Sequence, residues 1–243
     1  MRIPRVHIGA ELVVGEEVLL DKSQGHYLKH VLRLKPGAAL LLFNGLEAID
    51  YRATLLLEGK QVRAAIQSAL ALQTESALDC EIIQAIGRSD HIDWVIQKTT
   101  ELGISRIAMF NAERTQSPMK STQLEKKLVH WRGVAISACE QSGRAVLPAL
   151  DFHPDLEQAI TASSSESRLL LDFSGAALTS ALQPLPQSIS LLLGPEGGLT
   201  RPEIQLAKTA GFMSVRLGPR VLRTETAATA AVAIVQSVVG DLG

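Results

Sequence analysis

The sequence lacks two features that would each define a class of protein: paired cysteines and a long apolar run. Its two cysteines, Cys80 and Cys139, lie far apart with no CxxC pairing. Such cysteines fit a reducing compartment and argue against a disulfide framework, so we expect both to be small core residues. The N-terminal segment shows no signal peptide, and the apolar stretch 227–239 is interrupted by Thr229 and Gln236 and is too short to span a bilayer. These absences predict a cytoplasmic protein without a membrane segment.

The signatures of common nucleotide and metal sites are also missing. The chain has neither the GxxxxGK[ST] of a phosphate-binding loop nor GxGxxG, which disfavours a dinucleotide-dependent oxidoreductase. His26 and His30 have the spacing of a metal pair, but HExxH and an obvious third ligand are lacking, so we predict no metal. The net charge of −1 mildly opposes a sequence-blind nucleic-acid binder.

Short alternating apolar runs, broken by Pro-Gly and Asn-Gly turns, predict a small β-rich domain over residues 18–66. Within it, residues 23–37 predict one amphipathic helix whose basic face includes Lys29 and Arg33. A basic face of this kind could meet phosphate. Strand and turn signals stop over 67–78, which predicts a linker between two domains.

From Cys80 onward, β-like and helical segments alternate, with a long helical stretch over 122–139. Alternation predicts an α/β fold with a mostly parallel sheet covered by helices on both faces. Ligands of such sheets bind beyond the carboxyl ends of the strands. Trp94 and Trp131 lie on helical segments with apolar neighbours, which favours core residues or dimer anchors over base-stacking platforms.

A glycine-proline loop follows one strand in the C-terminal part, SLLLGPEGGLTRPEI at 190–204. Its glycines allow a ligand to approach the backbone closely, and Thr200 and Glu203 have the spacing of a helix capping box. For GPEGG alone, an ordinary tight turn explains the pattern about as well as ligand binding does.

A second such loop is VRLGPRVLRTETAATAA at 215–231. The pattern predicts a helix with Thr224 as its N-cap and Glu225 at its positive end. This structural account leaves Arg220 and Arg223 unexplained. Two arginines in one loop indicate an anionic or electron-rich partner.

Together, LLLGPEGGLT and LGPRVLRTETAA resemble the signature of the knotted-sheet (SPOUT) methyltransferases, and within them the 16S rRNA uracil-N3 methyltransferases of the RsmE type. MRIPR, HYLKHVLRL, QKTTELG, AERT and ACEQSGR agree in the same order. The resemblance implies an α/β fold: a PUA-like, RNA-binding β-barrel over 1–70 and a methyltransferase domain over 74–243 that ends in a trefoil knot. It also implies a homodimer that uses S-adenosylmethionine to modify a uridine of 16S rRNA in the small ribosomal subunit, in the decoding-region helix near the 3′ end.

The resemblance further implies which residues form the site. The cofactor-binding residues would be Leu171, Leu193, Gly194, Pro195, Glu196, Gly197, Gly198, Leu217, Gly218, Val221, Leu222, Arg223, Thr224 and Thr226. Asp172, next to Leu171, would belong to the same third wall. The RNA-binding residues would be Arg2, Arg5, Lys29, Arg33, Glu113, Arg114, Glu140, Gln141 and Arg144.

Methylation at uracil N3 requires loss of a weakly acidic proton, so the site needs a base, or cations that stabilise charge on the uracil oxygens. Arg223 is the first candidate for the cation, with Arg114 and Arg144 on the substrate side. Glu225 or Glu196 is the candidate base, although a structural role explains Glu225 equally well.

Two other functions stay open at this point. A non-catalytic RNA-binding or ribosome-assembly protein could retain the fold, and a knotted methyltransferase could act on the ribose of transfer RNA. Cofactor binding tests the first alternative, and substrate assays test the second.

Overall fold

The structure, a computed structural model, describes residues 3–59 and 61–243. Arg2, one of the predicted RNA contacts, lies outside these residues. The chain divides into two compact units, Met1–Glu75 with Cys139–Leu147 and Ser76–Ala138 with Pro148–Gly243. Each unit is therefore assembled from two separate stretches of the chain.

A five-stranded sheet organises the first unit. Its elements are β1 (Arg5–His7), β2 (Glu17–Leu19), α1 (Lys22–His26), β3 (Ala39–Phe43), β4 (Ile49–Glu58) and β5 (Gln61–Ala71). The strand order is β1-β3-β4-β5-β2, in which β1 is parallel to β3 and the other neighbours are antiparallel. Alternate residues, such as Leu40 and Leu42 of β3 and Val62 and Ala64 of β5, enter one shared core. The predicted small β-rich domain is confirmed.

The helix of the first unit is shorter than predicted. It begins at a capping box in which Asp21 Oδ1 accepts the Gln24 N–H and the Gln24 side chain accepts the Asp21 N–H. A π-helical turn, Tyr27–Val31, continues it. Arg33 then has φ 53°, in the left-handed region, which a right-handed helix cannot include. The prediction of one helix over 23–37 is therefore wrong in its length.

A six-stranded sheet organises the second unit. Its elements are β6 (Asp79–Ala85), α2 (Ser89–Glu101), β7 (Arg106–Phe110), α3 (Ser121–Ser142), β8 (Ala149–His153), α4 (Leu156–Thr161), β9 (Ser167–Ala177), a 3-10 turn (Leu178–Leu182), β10 (Ser188–Leu193), α5 (Arg201–Thr209), β11 (Met213–Arg216) and α6 (Thr224–Val238). The order is β11-β9-β10-β6-β7-β8, and every neighbouring pair is parallel. This is the parallel sheet that the alternating pattern predicts.

The central strands of this sheet are buried on both faces. Leu191 of β10 and Ile82 of β6 enter one core, which includes residues of α2, α3 and α6. Leu192 and Ile83, the next residues along, enter a second core with α4 and α5. Because successive side chains of a strand point to opposite faces, helices cover both faces of the sheet, as predicted.

The two tryptophans have opposite environments. Trp131 on α3 is 1% exposed and belongs to the core, as predicted. Trp94 on α2 is 56% exposed, so its assignment to the core is wrong, and its role as a dimer anchor stays a prediction. Cys80 and Cys139 are both buried, as expected of core cysteines.

Two predicted boundaries differ from the structure. The linker predicted over 67–78 is shorter, because β5 pairs with β4 as far as Ala71. Arg223, and not Thr224, is the N-cap of α6, and its side chain makes no capping hydrogen bond. A Ser or Thr near a helix start is a preference only, and here it misplaces the start by one residue.

Candidate cofactor and catalytic site

A cavity of about 700 Å³ opens in the second unit where β10 and β11 end. This volume is within the range of small-ligand pockets. Its walls come from three segments: the loop after β10, the loop after β11, and residues 170–173 of β9. The cavity therefore lies at the carboxyl ends of parallel strands, where ligands of such sheets bind.

The first wall is the glycine loop, residues 194–199, between β10 and α5. A Cβ on Gly194 would lie 3.0 Å from the Leu199 nitrogen, so a side chain would push the loop apart. Gly198 has φ 67°, which glycine adopts without strain. Its N–H donates to Pro195 O at 2.8 Å, which closes a tight turn. The loop thus presents backbone to the cavity, and α5 starts directly behind it at the predicted Thr200 capping box.

Glu196 of the glycine loop is held by hydrogen bonds. Its Oε1 accepts the Arg88 N–H at 3.3 Å and lies 3.0 Å from His91 Nδ1. Burial alone would raise the pKa of this carboxyl, but these bonds and one from its own N–H hold the pKa below the ordinary value. A carboxylate whose charge is stabilised in this way is a weak base. Glu196 therefore suits an anchoring role better than proton abstraction.

The second wall is the loop between β11 and α6. Leu217, Val221 and Leu222 give it an apolar surface, and Arg220 and Arg223 give it charge. Both arginines are exposed, and within residues 3–59 and 61–243 neither forms an ion pair. Their guanidinium groups are available to a ligand.

The third wall carries a negative charge. Asp172 lines the cavity between Leu171 and Phe173 and accepts hydrogen bonds from Ser174 and from the Ser214 hydroxyl. Burial opposes ionisation, but these bonds lower the pKa of Asp172 below its ordinary value. The wall therefore presents a carboxylate to the cavity.

Arg114, from the loop after β7, stands beside the glycine loop. Its Nη1 donates to Gly197 O at 3.0 Å, and a Cβ on Gly197 would lie 3.4 Å from Arg114 Cβ. The neighbouring Glu113 N–H donates to Glu203 Oε1 at 2.9 Å, which ties this loop to the start of α5. The side chains of Glu113 and Arg114 are exposed. Arg114 therefore contacts the glycine loop but does not itself line the cavity, and its role as the cation stays a prediction.

A groove between α2 and α6 adjoins the cavity, and His91 and Arg223 line both. Glu225 and Thr226 lie in this groove. Glu225 Oε2 is 3.7 Å from His91 Nδ1, and in the described part of the chain it has no hydrogen-bond partner. Glu225 Oε2 is buried and has no hydrogen-bond partner among the described residues, whereas Glu196 Oε1 is engaged by Arg88 and His91.

Arg5 of the first unit is buried and fully engaged. Its Nε and Nη2 donate to the Asp50 carboxylate at 3.1 and 2.7 Å. Its Nη1 donates to Cys139 O at 2.6 Å, its Nη2 also donates to Arg144 O at 3.0 Å, and its guanidinium lies over the Phe43 ring. The RNA contact predicted for Arg5 does not fit this geometry, because the side chain is 4% exposed.

Arg144, predicted as an RNA contact and as a catalytic cation, is also buried. Its Nε and Nη2 donate to Glu75 Oε2 at 3.0 and 2.7 Å. Glu140 Oε1 accepts the His7 N–H, and burial raises the pKa of Glu140. Of this predicted cluster, Gln141 is exposed. A buried, paired Arg144 has a structural role in the first unit, which corrects the prediction that it acts on the substrate.

Most of the predicted cofactor residues line the cavity, namely Leu171, Leu193, Gly194, Pro195, Glu196, Gly198, Leu217, Val221, Leu222, Arg223 and Thr224. Gly197 and Gly218 do not line it, and Thr226 lies in the neighbouring groove. Arg88, His91 and Gln116 also line the cavity, although no sequence motif indicates them. These follow the ends of β6 and β7, so the rule that ligands bind beyond strand ends could have indicated them.

In the part of the chain that the structure describes, no group of three or more His, Cys, Asp and Glu side chains could hold a metal ion. The His26 and His30 rings lie 4.8 Å apart, as a tilted pair. In the same residues, no helix has both the length and the apolar character to cross a membrane.

Comparison with protein families and solved structures gives a consistent result. Residues 74–236 match an RNA methyltransferase domain, and residues 20–62 match an RNA methyltransferase PUA domain. A ribosomal RNA small subunit methyltransferase E from Buchnera aphidicola is 34% identical over 99% of this chain and 98% of its own.

Two solved structures show the same fold. A methyltransferase from Legionella pneumophila with bound S-adenosylmethionine has a TM-score of 0.94 at 34% identity, over the whole of both chains. The ribosomal RNA small subunit methyltransferase E of Neisseria gonorrhoeae, also with S-adenosylmethionine, has a TM-score of 0.90 at 34% identity, again over both chains. These matches confirm the family resemblance and the predicted α/β fold class with a PUA-like domain. The chain therefore belongs to the RNA methyltransferase family of the ribosomal RNA small subunit methyltransferase E proteins.

Proposed function

We propose that this protein transfers a methyl group from S-adenosylmethionine to N3 of a uridine in 16S rRNA of the small ribosomal subunit, in the decoding-region helix near the 3′ end. The observation that carries the proposal is the cavity at the strand ends, walled by two glycine-proline loops and lined by Arg223, with Arg114 hydrogen-bonded to the first of these loops. The cofactor bound in the two solved neighbours supports this choice of donor. An rRNA substrate places the reaction in the cytoplasm.

The residues of the cavity fit the cofactor. Leucines of all three walls, including Leu193 and Leu217, suit the faces of an adenine ring. The glycine loop offers backbone groups to its edge, and Asp172 offers a carboxylate to a hydroxyl or a cationic group. When bound, S-adenosylmethionine supplies a methyl group activated by a sulfonium. The protein then has to position the uracil and stabilise the charge that develops on it.

The proton on uracil N3 determines the roles of the charged residues. Arg223 stabilises the negative charge that spreads onto the uracil oxygens, and Arg114 supports it from the loop after β7. Glu196 keeps the glycine loop in place.

We further propose that the first unit binds RNA through Lys29 and Arg33. Arg33 is exposed, and Lys29 is half-buried. Phosphate contacts release counterions, so neutralising both residues (K29Q with R33Q) should weaken RNA binding and lower the slope of log affinity against log salt by about 2. Filter binding between 50 and 300 mM salt measures the slope. An unchanged slope would assign the RNA contact to other residues.

We assign the groove between α2 and α6 to a second copy of this chain. Trp94 is 56% exposed there, beside Ala230 and Ala233, and a homodimer would cover it. Light scattering should give twice the chain mass for the wild type and half of that for W94D. V129D is the matched control, since Val129 is 70% exposed on α3 outside the groove. A wild type of single-chain mass would rule out this assignment.

The decisive experiment is methyl transfer from radiolabelled S-adenosylmethionine to small subunits isolated from cells that lack this protein. Mass mapping of the labelled nucleoside should identify N3-methyluridine. Subunits from cells that contain the protein are the control and should take up little label, because their site is already modified. Label on transfer RNA, or cofactor binding without transfer, would overturn the proposed substrate and leave the fold unaffected.

A further inference from the structure

His91 lies between two carboxylates that belong to different loops of the site. Its Nδ1 is 3.0 Å from Glu196 Oε1, in the glycine loop, and 3.7 Å from Glu225 Oε2, in the first turn of α6. The imidazole is on the third residue of α2, where it lines both the cavity and the groove. One ring nitrogen therefore connects the proposed cofactor loop with the candidate base.

The hydrogen must be on Nδ1 for this contact. The pKa of Glu196 is lowered despite partial burial, so its carboxyl is ionised and can only accept a hydrogen bond. Nδ1–H is then the donor. Glu225 Oε2, which has no hydrogen-bond partner in the described residues, lies 3.7 Å from the same nitrogen, beyond hydrogen-bond distance but within reach of an ion pair. The same ring nitrogen therefore donates to Glu196 and lies near Glu225.

Glu196 has few ways to move once His91 is in place. A Cβ added to Gly87 would lie 2.9 Å from Glu196 Oε1, so the carboxylate fills the space that a side chain would take. The Arg88 N–H holds the same oxygen at 3.3 Å. The His91 side chain is 17% exposed, so solvent competes weakly for its donor. The glycine loop is thus fastened to the start of α2 at one oxygen.

Other charges face this cluster, and none of them can replace the bridge. Arg88 pairs weakly with Asp90 at 3.8 Å, and both side chains are mostly exposed. Arg223 lines the cavity and the groove, but within the described residues it makes no ion pair with Glu196 or Glu225.

We propose that His91 is a positioning residue: its Nδ1–H sets the glycine loop and Glu225 relative to each other, so that cofactor pocket and base are aligned together. This inference rests on the proposed function, with Glu225 as its candidate base. For this role, the hydrogen-bond donor has to be at the position of Nδ1.

Asparagine and glutamine separate this role from simple space filling. The Asn Nδ2 amide can reach the position of His Nδ1, whereas the Gln amide reaches that of Nε2. We expect H91Q and H91A to weaken S-adenosylmethionine binding about tenfold by calorimetry, and H91N to stay within about threefold of the wild type. H130A is the matched control. His130, on α3, pairs at 2.8 Å with Asp93 of α2, the helix that carries His91, but His130 does not line the cavity. Its affinity should equal the wild-type value.

Two further readouts show whether His91 acts through Glu196. In an E196A background, H91Q should cause no additional loss of affinity, because the acceptor is gone. Amide hydrogen exchange of residues 194–199, measured without cofactor, should speed up severalfold in H91Q and stay near the wild-type rate in H91N. Equal behaviour of H91N and H91Q in affinity and exchange, or full additivity with E196A, would overturn the proposal.

These outcomes are distinct from failure of the proposed function. If the wild type bound the cofactor but transferred no methyl group to small subunits, the proposed substrate would be wrong. The cofactor affinities of H91N and H91Q would still test the role of His91. If the cofactor did not bind at all, exchange of the glycine loop would still test the bridge.

Discussion

Two arginines of the first unit and three of the second, all of them in the family motifs, have opposite environments. In the first unit, Arg5 and Arg144 are 4% and 6% exposed, and each lies 2.7 Å from a carboxylate. In the second unit, Arg114, Arg220 and Arg223 are exposed; Arg220 and Arg223 line the cavity, and Arg114 is hydrogen-bonded to the glycine loop. A buried, paired arginine holds chain segments together, whereas an exposed one beside a pocket can bind a ligand.

This contrast explains why a motif can be correct while the roles of its residues are not. MRIPR and ACEQSGR indicate the family correctly, yet Arg5 and Arg144 in them bind Asp50 and Glu75. Arg5 also donates to the main chain of the 139–147 segment. Both pairs are internal to the first unit.

Replacement of Arg5 is expected to have the largest effect. R5A leaves the buried Asp50 without its ion-pair partner and removes one donor from each of two carbonyl groups, which should lower the free energy of unfolding by about 3 to 5 kcal/mol. Urea denaturation measures this loss. R63A is the control, since Arg63 forms an exposed pair with Glu17 and should cost less than about 1 kcal/mol. Equal losses of unfolding free energy in R5A and R63A would show that the buried arginine pair contributes no more stability than the exposed one.

Replacement of Arg223 should lower the rate of methyl transfer and leave stability unchanged. R223A should reduce the single-turnover rate of methyl transfer about 10²- to 10³-fold, as expected when a donor to a developing negative charge is lost. The urea midpoint should stay at the wild-type value, because the side chain is exposed and unpaired among the described residues. R132A, which removes an exposed arginine of α3, should retain full activity. A folding defect in R223A without a rate effect would contradict the assignment.

Arg114 should have an intermediate effect, because it is exposed and also holds the glycine loop through a hydrogen bond. Loss of its hydrogen bond to Gly197 O should weaken S-adenosylmethionine binding about tenfold in R114A. R114K should recover part of this affinity, since lysine can still donate. Calorimetry with both variants measures the effect. Wild-type affinity in R114A would show that Arg114 does not support cofactor binding, and that it acts on the substrate or lies at the protein surface without a role in the site.

Much of the second unit follows from sequence periodicity, because strands such as β6 and β10 are mostly apolar and are buried on both faces. The two glycine loops could be placed at strand ends for the same reason. The partners of Arg5 and Arg144 could not be predicted, since Asp50 and Glu75 are 45 and 69 positions away. His91 could not be predicted as a site residue, because a lone histidine at a helix start matches no motif. Its role depends on two carboxylates that only the fold brings together.

The smallest effect we expect concerns two glutamates, one in each unit, with opposite pH dependence. Burial raises the pKa of Glu140 above its ordinary value of 4.5, so its folded form loses stability as pH rises from about 4.5 through the raised value. Hydrogen bonds lower the pKa of Glu196, so its contribution is present above 4.5 and is lost as pH falls through the lowered value. Relative to the wild type, E140Q should therefore gain stability with rising pH, because Gln still accepts the His7 N–H, and E196Q should lose it. Thermal unfolding from pH 3.5 to 7 measures both trends, and trends of the same sign would show that the two carboxyl environments are alike after all.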